Sequence, residues 1–515
     1  MRYDVVIVGG GSAGCVLASR LSEDPARTVL LVEAGPDYPD PESLPPELRY
    51  GNNLAAQVPF SAHLWPYVGT LVPGQREPAP VTRARVMGGG SAVNGQVFLR
   101  GFAADFEDWA AMGNDEWTYD RVLPYFVKCE TDRDLWDSNH GSRGPVPVRR
   151  HERRDWLPFQ EAFYRACVDQ GFGECLDLNG PGAAGVGPVP MNNLAGERLS
   201  MARVYLDPAR SRENLTLLPD TTATRVVFRE DRAVGVEVRR DGRREMVEAG
   251  EVVLSAGAIA SAHLLMLSGV GPEDRLGDAG IAVTHHLPGV GRNMREHPIF
   301  RVYAQVKDGV PMDPDAPWFQ VMLLYTAPGS GAENDMQIMP TSFSTVAGGD
   351  PRVSRGVHLN CILALPQGAG ELWPVSSDPR VQPHLEFQFF QEPGDRRRLR
   401  DAARLCARLL EDPACRDVVA RRTDPSDDDL ATDAALDGWL LRALARSTTA
   451  HMSGTCRIGP AADPMAVVDQ HCRVRGLQGL RVTDASVMPQ VVRANTNATV
   501  VMIAERVSDW VKAGS

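Results

Sequence analysis

The apolar positions of this chain fall into short blocks separated by glycine turns. Asp4-Val5-Val6-Ile7-Val8 is a run of β-branched residues too short for a helix, the pattern of a strand buried on both faces. Gly9 to Gly14 follow, and composition from Ala13 to Leu21 favours helix. Thr28 to Val32 repeat the buried-strand pattern and end at Glu33. Residues 36–80 are rich in Pro, Gly and Asn and predict irregular chain, and polar residues 131–154 predict a loop. From Thr216 to Arg240 the residues alternate as strands of a hairpin, with Asp241-Gly242 as a turn signal. Val252 to Gly257 is again a strand entering a glycine turn, and a helix is predicted through Leu267. The character then changes. Strand-like segments such as Val357–Leu365 and His384–Phe390 dominate from about Phe300, with a helix near Arg396–Leu410, which predicts a separate, mainly antiparallel unit. Strand, turn and helix return from Thr448. In the last segment Val500, Ile503, Ala504, Val507 and Val511 recur at helical spacing.

Bulk properties exclude some classes. At 515 residues the chain is long enough for two or more domains. Its net charge of −12 argues against nucleic acid as the main partner. No apolar run is long enough to span a membrane, and no secretory signal precedes the first strand, so a cytoplasmic enzyme is expected. Nine scattered cysteines form no CxxC pair, which suggests reduced thiols rather than a disulfide framework or a metal site.

Gly9, Gly11 and Gly14 form GxGxxG between a buried strand and a helix. Such glycines permit a tight turn, close backbone approach to a pyrophosphate, and close helix–strand packing. The helix N-terminus then faces the phosphates. Glu33 closes the second strand, where a carboxylate can accept hydrogen bonds from an adenosine ribose. The unit predicts a dinucleotide site but leaves FAD and NAD open.

Further motifs are more specific. Arg85-Val86-Met87-Gly88-Gly89-Gly90-Ser91-Ala92-Val93-Asn94-Gly95 with Arg100-Gly101, and Ser255 to Ile259 through Ser268 to Pro272, resemble the two signatures of the glucose-methanol-choline (GMC) oxidoreductases. Gly289 to Met294 with Glu296-His297-Pro298, His451 to Gly459, Asp484 to Pro489 and Asn495-Thr496-Asn497 follow in that family's order. The resemblance implies an α/β FAD-binding Rossmann-like domain plus an α+β substrate domain with a mainly antiparallel sheet. It implies residues 1–155, 195–299 and 447–515 for the first and 156–194 and 300–446 for the second. For the cofactor it implies Gly9, Gly11, Ser12, Ala13, Gly14, Glu33, Ala34, Arg85, Val86, Gly89, Gly90, Asn94, Gly95, Val97, Ala223, Ala256, Gly257, Asp484, Ala485, Asn495 and Thr496. Some relatives bind flavin covalently through a histidine in the first signature. Val93 stands at that position, so non-covalent FAD is expected.

The same resemblance casts His451 as the base that takes the hydroxyl proton and Asn495 as the group that orients the oxygen. Asn495 to Asn497 would begin the last helix, with its N-terminus toward the flavin pyrimidine ring. His297 and His471 read as structural. The implied reaction is hydride transfer from an alcohol to flavin N5, giving an aldehyde or ketone, with oxygen or another acceptor taking the electrons. Alternatives are a redox-inert flavin lyase of the hydroxynitrile lyase type, an enzyme like the fatty-acid photodecarboxylases, and a non-catalytic flavoprotein.

Overall fold

The computed structural model describes residues 2–53, 55–312, 316–343 and 356–514. Two sheets organise it. In the first, strands β1 (Arg2–Val8) and β2 (Val29–Val32) lie parallel, joined by helix α1 (Ser12–Leu21). Leu215–Leu218 adds outside β2, and the end of the long strand Arg243–Leu254 adds beside β1, both parallel. Every residue of β2 is buried, as its uninterrupted apolar run predicts. Arg232–Arg240 and Thr222–Arg229 extend the sheet antiparallel. Asp241 and Gly242, with φ of 49° and 78°, make the predicted turn into Arg243–Leu254. Leu480–Val482 returns from far along the chain to lie parallel to the end of the same strand.

The second sheet is antiparallel throughout. Its order is Val419–Asp424, Ile299–Val306, Gly356–Leu363, Met336–Pro340, Val321–Tyr325 and Gly185–Pro188. The helix Pro393–Glu411 packs on it, slightly longer than the predicted 396–410.

Three expectations are corrected. His384–Glu386 does not join the large sheet; it pairs with Glu371–Trp373 and also with Thr70, and the N–H groups of Phe387 and Phe389 carry that second ladder on to the Thr70 and Leu71 carbonyls while their rings are buried. The predicted loop over 131–154 contains two short paired strands, Glu130–Asp132 and Val146–Val148, held by a buried cluster in which Arg100 pairs with Glu130 and Arg150 with Asp132. The last helix, Thr496–Ala513, is not amphipathic in place: Thr499, Glu505, Arg506 and Ser508 are buried as well as its apolar stripe.

Candidate active site

A cavity of about 1540 Å³ lies between the two sheets. That exceeds the roughly 300–1,000 Å³ of a drug-sized pocket and leaves room for a dinucleotide and a substrate together. Three helix N-termini open onto it, at Ser12, Gly257 and Thr496. Such ends present unpaired N–H groups and favour anions.

Of the sequence-predicted residues, Gly9, Gly11, Ser12, Ala13, Glu33, Ala34, Gly89, Gly90, Asn94, Gly95, Val97, Ala223, Ala256, Gly257, His451, Asp484, Ala485, Asn495 and Thr496 line this cavity. Gly14, Arg85 and Val86 stand behind its wall. A Cβ on Gly14 would sit 1.9 Å from the Gly9 carbonyl oxygen, so this glycine serves helix–turn packing. Arg85 lies over the Trp65 ring and donates to the Ala34 carbonyl at 3.2 Å. Val86 packs with Leu48, Ala56, Ala92 and Val93.

The two glycine loops meet each other. Gly88 N–H donates to the Gly10 carbonyl at 2.7 Å, and a Cβ on Gly89 would lie 2.6 Å from Gly11 Cα. Glu33 binds the turn as well as facing the cavity: its two oxygens accept from Gly10 and Gly35 N–H, each at 2.8 Å. Burial raises its pKa to about 7, against the pull of those N–H donors. Asp484 accepts from Gly257 N–H at 2.8 Å and from the Ser261 hydroxyl at 2.6 Å, tying its loop to the start of the Gly257–Leu267 helix.

At the other end, His451 and Asn495 come together from 44 residues apart. Asn495 occupies the cap position of the last helix, yet its side chain makes no capping bond. Its Nδ2 instead points at His451 Nε2, 3.4 Å away. His451 Nδ1 lies 3.0 Å from His297 Nδ1, and His297 Nε2 lies 3.0 Å from the Val492 carbonyl. A carbonyl only accepts, so His297 carries its proton on Nε2 and offers Nδ1 as an acceptor. His451 therefore donates from Nδ1 and keeps a lone pair on Nε2, at the cavity wall. Enclosure by protein, His297 and Arg83 hold the His451 pKa well below 6.5, and burial takes His297 to about 4. Both rings are neutral at neutral pH. Glu296 grips the backbone of both: it accepts from His297 N–H at 2.8 Å and His451 N–H at 3.0 Å.

GMC oxidoreductase profiles match residues 3–299 and 366–504. The chain belongs to the GMC oxidoreductase family. A GMC-type oxidoreductase of Rhodococcus erythropolis is 37% identical over 98% of this chain and 97% of its own length. An oxygen-dependent choline dehydrogenase of Vibrio vulnificus is 34% identical over 99% and 94%. Among solved structures, pyridoxine 4-oxidase from Mesorbium loti superposes with a TM-score of 0.92 at 28% identity, covering 99% of each chain. A formate oxidase variant of Aspergillus oryzae, studied for FAD modification, gives 0.89 at 26%, covering 100% and 98%.

GMC oxidoreductases bind FAD, and the cavity of this one fits that cofactor. The glycine cradle has no room for side chains at Gly9 and Gly89, where a Cβ would lie 2.5 Å from the Ser255 carbonyl oxygen and 2.6 Å from Gly11 Cα, and three helix N-termini face the enclosed space. Asn495 Oδ1 and Asn497 Nδ2 are buried without protein partners, as are Nε and Nη2 of Arg83. Arg83 lines the cavity and donates from Nη1 to the Ala450 carbonyl at 2.7 Å, next to His451.

Sequence reasoning missed Arg83 and the contact of His297 with His451. Arg83 stands two residues before the glycine signature, in chain without periodicity. His297 sits in a matched motif, but its contact with His451 spans 154 residues. His471, also read as structural, stacks on Trp510 at 4.6 Å, and it does not line the cavity.

Proposed function

We propose that this GMC oxidoreductase oxidises an alcohol to an aldehyde or ketone with FAD held non-covalently. The observation that carries this reading is the pairing of His451 and Asn495 at the cavity wall, with His451 Nε2 unprotonated and met only by a long 3.4 Å contact from the Asn495 amide that a substrate hydroxyl can replace. The substrate hydroxyl binds between the two. His451 takes its proton at Nε2, which eases departure of hydride from the carbinol carbon. Asn495 donates from Nδ2 to the substrate oxygen and holds it in line. Bound FAD would accept the hydride at N5 and pass the electrons to oxygen or another acceptor. Val93, buried in the first signature, has no atom for a covalent flavin link.

The same reading divides the chain into a discontinuous cofactor unit, 1–155, 195–299 and 447–515, and a substrate unit, 156–194 and 300–446. The helix Pro158–Asp169 and strand Gly185–Pro188 support it, since both pack with the antiparallel sheet. Nine unpaired cysteines support a reducing compartment, which we take to be the cytosol. No helix among the described residues is long and apolar enough to cross a membrane.

Anaerobic mixing with alcohols, followed as flavin bleaching, tests the reading. His451→Ala should fold and retain FAD, yet lose reduction rate by roughly 10²–10⁴-fold. Wild-type bleaching rates in that variant would remove His451 as the base.

A further inference from the structure

The antiparallel sheet presents different chemistry on its two faces. Along Ile299–Val306, Val302, Ala304 and Val306 are buried in the core, while Ile299, Arg301 and Tyr303 line the cavity. On the neighbouring strand His358, Asn360 and Ile362 line it, and Cys361 meets Cys406 of the covering helix. The register sets Ile299 opposite Ile362, Arg301 opposite Asn360, and Tyr303 opposite His358. The roof thus runs from an apolar pair near His297 to a polar cluster centred on one guanidinium.

Among the described residues, Arg301 has only neutral hydrogen-bond partners. Its Nε donates to Asn360 Oδ1 at 3.1 Å and its Nη1 to the Ser447 hydroxyl at 2.9 Å. No carboxylate pairs with it among the described residues. The acidic residues lining the cavity there are Glu33 and Asp484, and backbone N–H groups already occupy both. Tyr303 and His358 flank Arg301 on the same two strands, and elsewhere in the cavity wall Trp318 Nε1 is a buried donor without a partner among the described residues. Among the described residues Arg301 is a half-buried guanidinium on the cavity wall without a counter-charge, which makes it a site for an anion.

We propose that the alcohol oxidised here carries a carboxylate several bonds from its carbinol carbon, and that Arg301 binds that carboxylate. This rests on His451 and Asn495 as the place of oxidation. A planar monoanion matches one guanidinium in shape and charge. A phosphate would leave charge unbalanced, and a quaternary ammonium would face Arg301 with no carboxylate nearby. Arg301 stands at the second cavity-facing position of its strand, about 7 Å of rise beyond Ile299.

The test offers the holoenzyme para-(hydroxymethyl)benzoate, its neutral methyl ester, para-(hydroxymethyl)phenyl phosphate and choline as donors, with anaerobic flavin bleaching as readout. Calorimetry measures binding of unreactive para-toluate in parallel. The carboxylate should exceed the ester by roughly tenfold or more in kcat/KM. In Arg301→Gln that ratio should collapse to about one, and para-toluate affinity should fall roughly tenfold or more. Arg301→Lys should restore part of both, which separates charge recognition from a folding defect. A wild-type preference for the ester or for choline overturns the proposal, as does an Arg301→Gln protein with unchanged ratio and unchanged toluate affinity. Preference for the phosphate overturns the carboxylate assignment. If para-toluate binds through Arg301 while no alcohol bleaches the flavin, the anion site stands and the oxidation reading fails.

Discussion

A histidine inside a protein is a useful base only if the right nitrogen holds the lone pair. Here one carbonyl decides it: Val492 sets the His297 tautomer, and His297 sets that of His451 across a 3.0 Å contact. Because enclosure holds the His451 pKa well below 6.5, the ring we propose as the base stays unprotonated as pH falls through 6.5. The flavin-reduction rate should therefore be flat from pH 8 to 6 and decline only at lower pH. In His297→Ala the tautomer is no longer set and water enters, so the rate should fall roughly 10–100-fold and the acid limb should move up toward pH 6.5. His297→Asn, which can still accept from His451 and donate to Val492, should recover much of both. An acid limb in His297→Ala identical to wild type would reduce His297 to a packing residue.

Among the elements, the junction between the two glycine loops is the most constrained. Gly89 has φ of 52° and passes Gly11 backbone to backbone. Gly89→Ala adds left-handed strain of about 1–2 kcal/mol. Its Cβ also pushes against Gly11 Cα, which has no side chain to yield. The loops must then separate at the mouth of α1. The variant should lose both FAD occupancy and thermal stability, read by flavin content and melting temperature; full occupancy with an unshifted melting point would show that the loops separate without loss. The last helix shows the complementary case. Its cap residue, Asn495, gives up a capping bond to face His451, and packing on all sides compensates.

For the whole molecule, segments far apart in sequence are joined by one buried carboxylate. Glu505 receives Arg20 of α1 at 2.8 Å, Lys128 at 3.1 Å and the Tyr205 hydroxyl at 2.7 Å, with its own side chain fully buried. Glu505→Gln leaves two cations facing a neutral amide and should destabilise the fold by about 3 kcal/mol, at the lower end for a broken buried pair because Arg20 and Lys128 keep some solvent contact. Denaturant unfolding of wild type and variant measures it. A change below about 1 kcal/mol would mean that the three donors find other partners.

What the sequence determined by itself was local. β1, the glycine turn, α1, β2 and Glu33 are consecutive, so spacing and residue type suffice to specify a dinucleotide site. The Asp241-Gly242 turn and the Val252–Leu267 strand and helix were legible for the same reason, and the signature motifs carried the family. His451 and Asn495 were legible through those motifs, not through periodicity. Only the tertiary structure decided the rest. The His297–His451 contact spans 154 residues, and nothing in either motif encodes a 3.0 Å distance between two rings. The segment after His384 read as part of the antiparallel unit, but Phe387 and Phe389 donate to the Thr70 and Leu71 carbonyls, a partner far back in the chain. The roof depends on register: Arg301 meets Asn360 over the cavity because two strands pair in one alignment, and a slip of one residue would turn those side chains away from it. That alignment is set by the apolar faces packed behind the sheet, a property of the assembled core rather than of either strand.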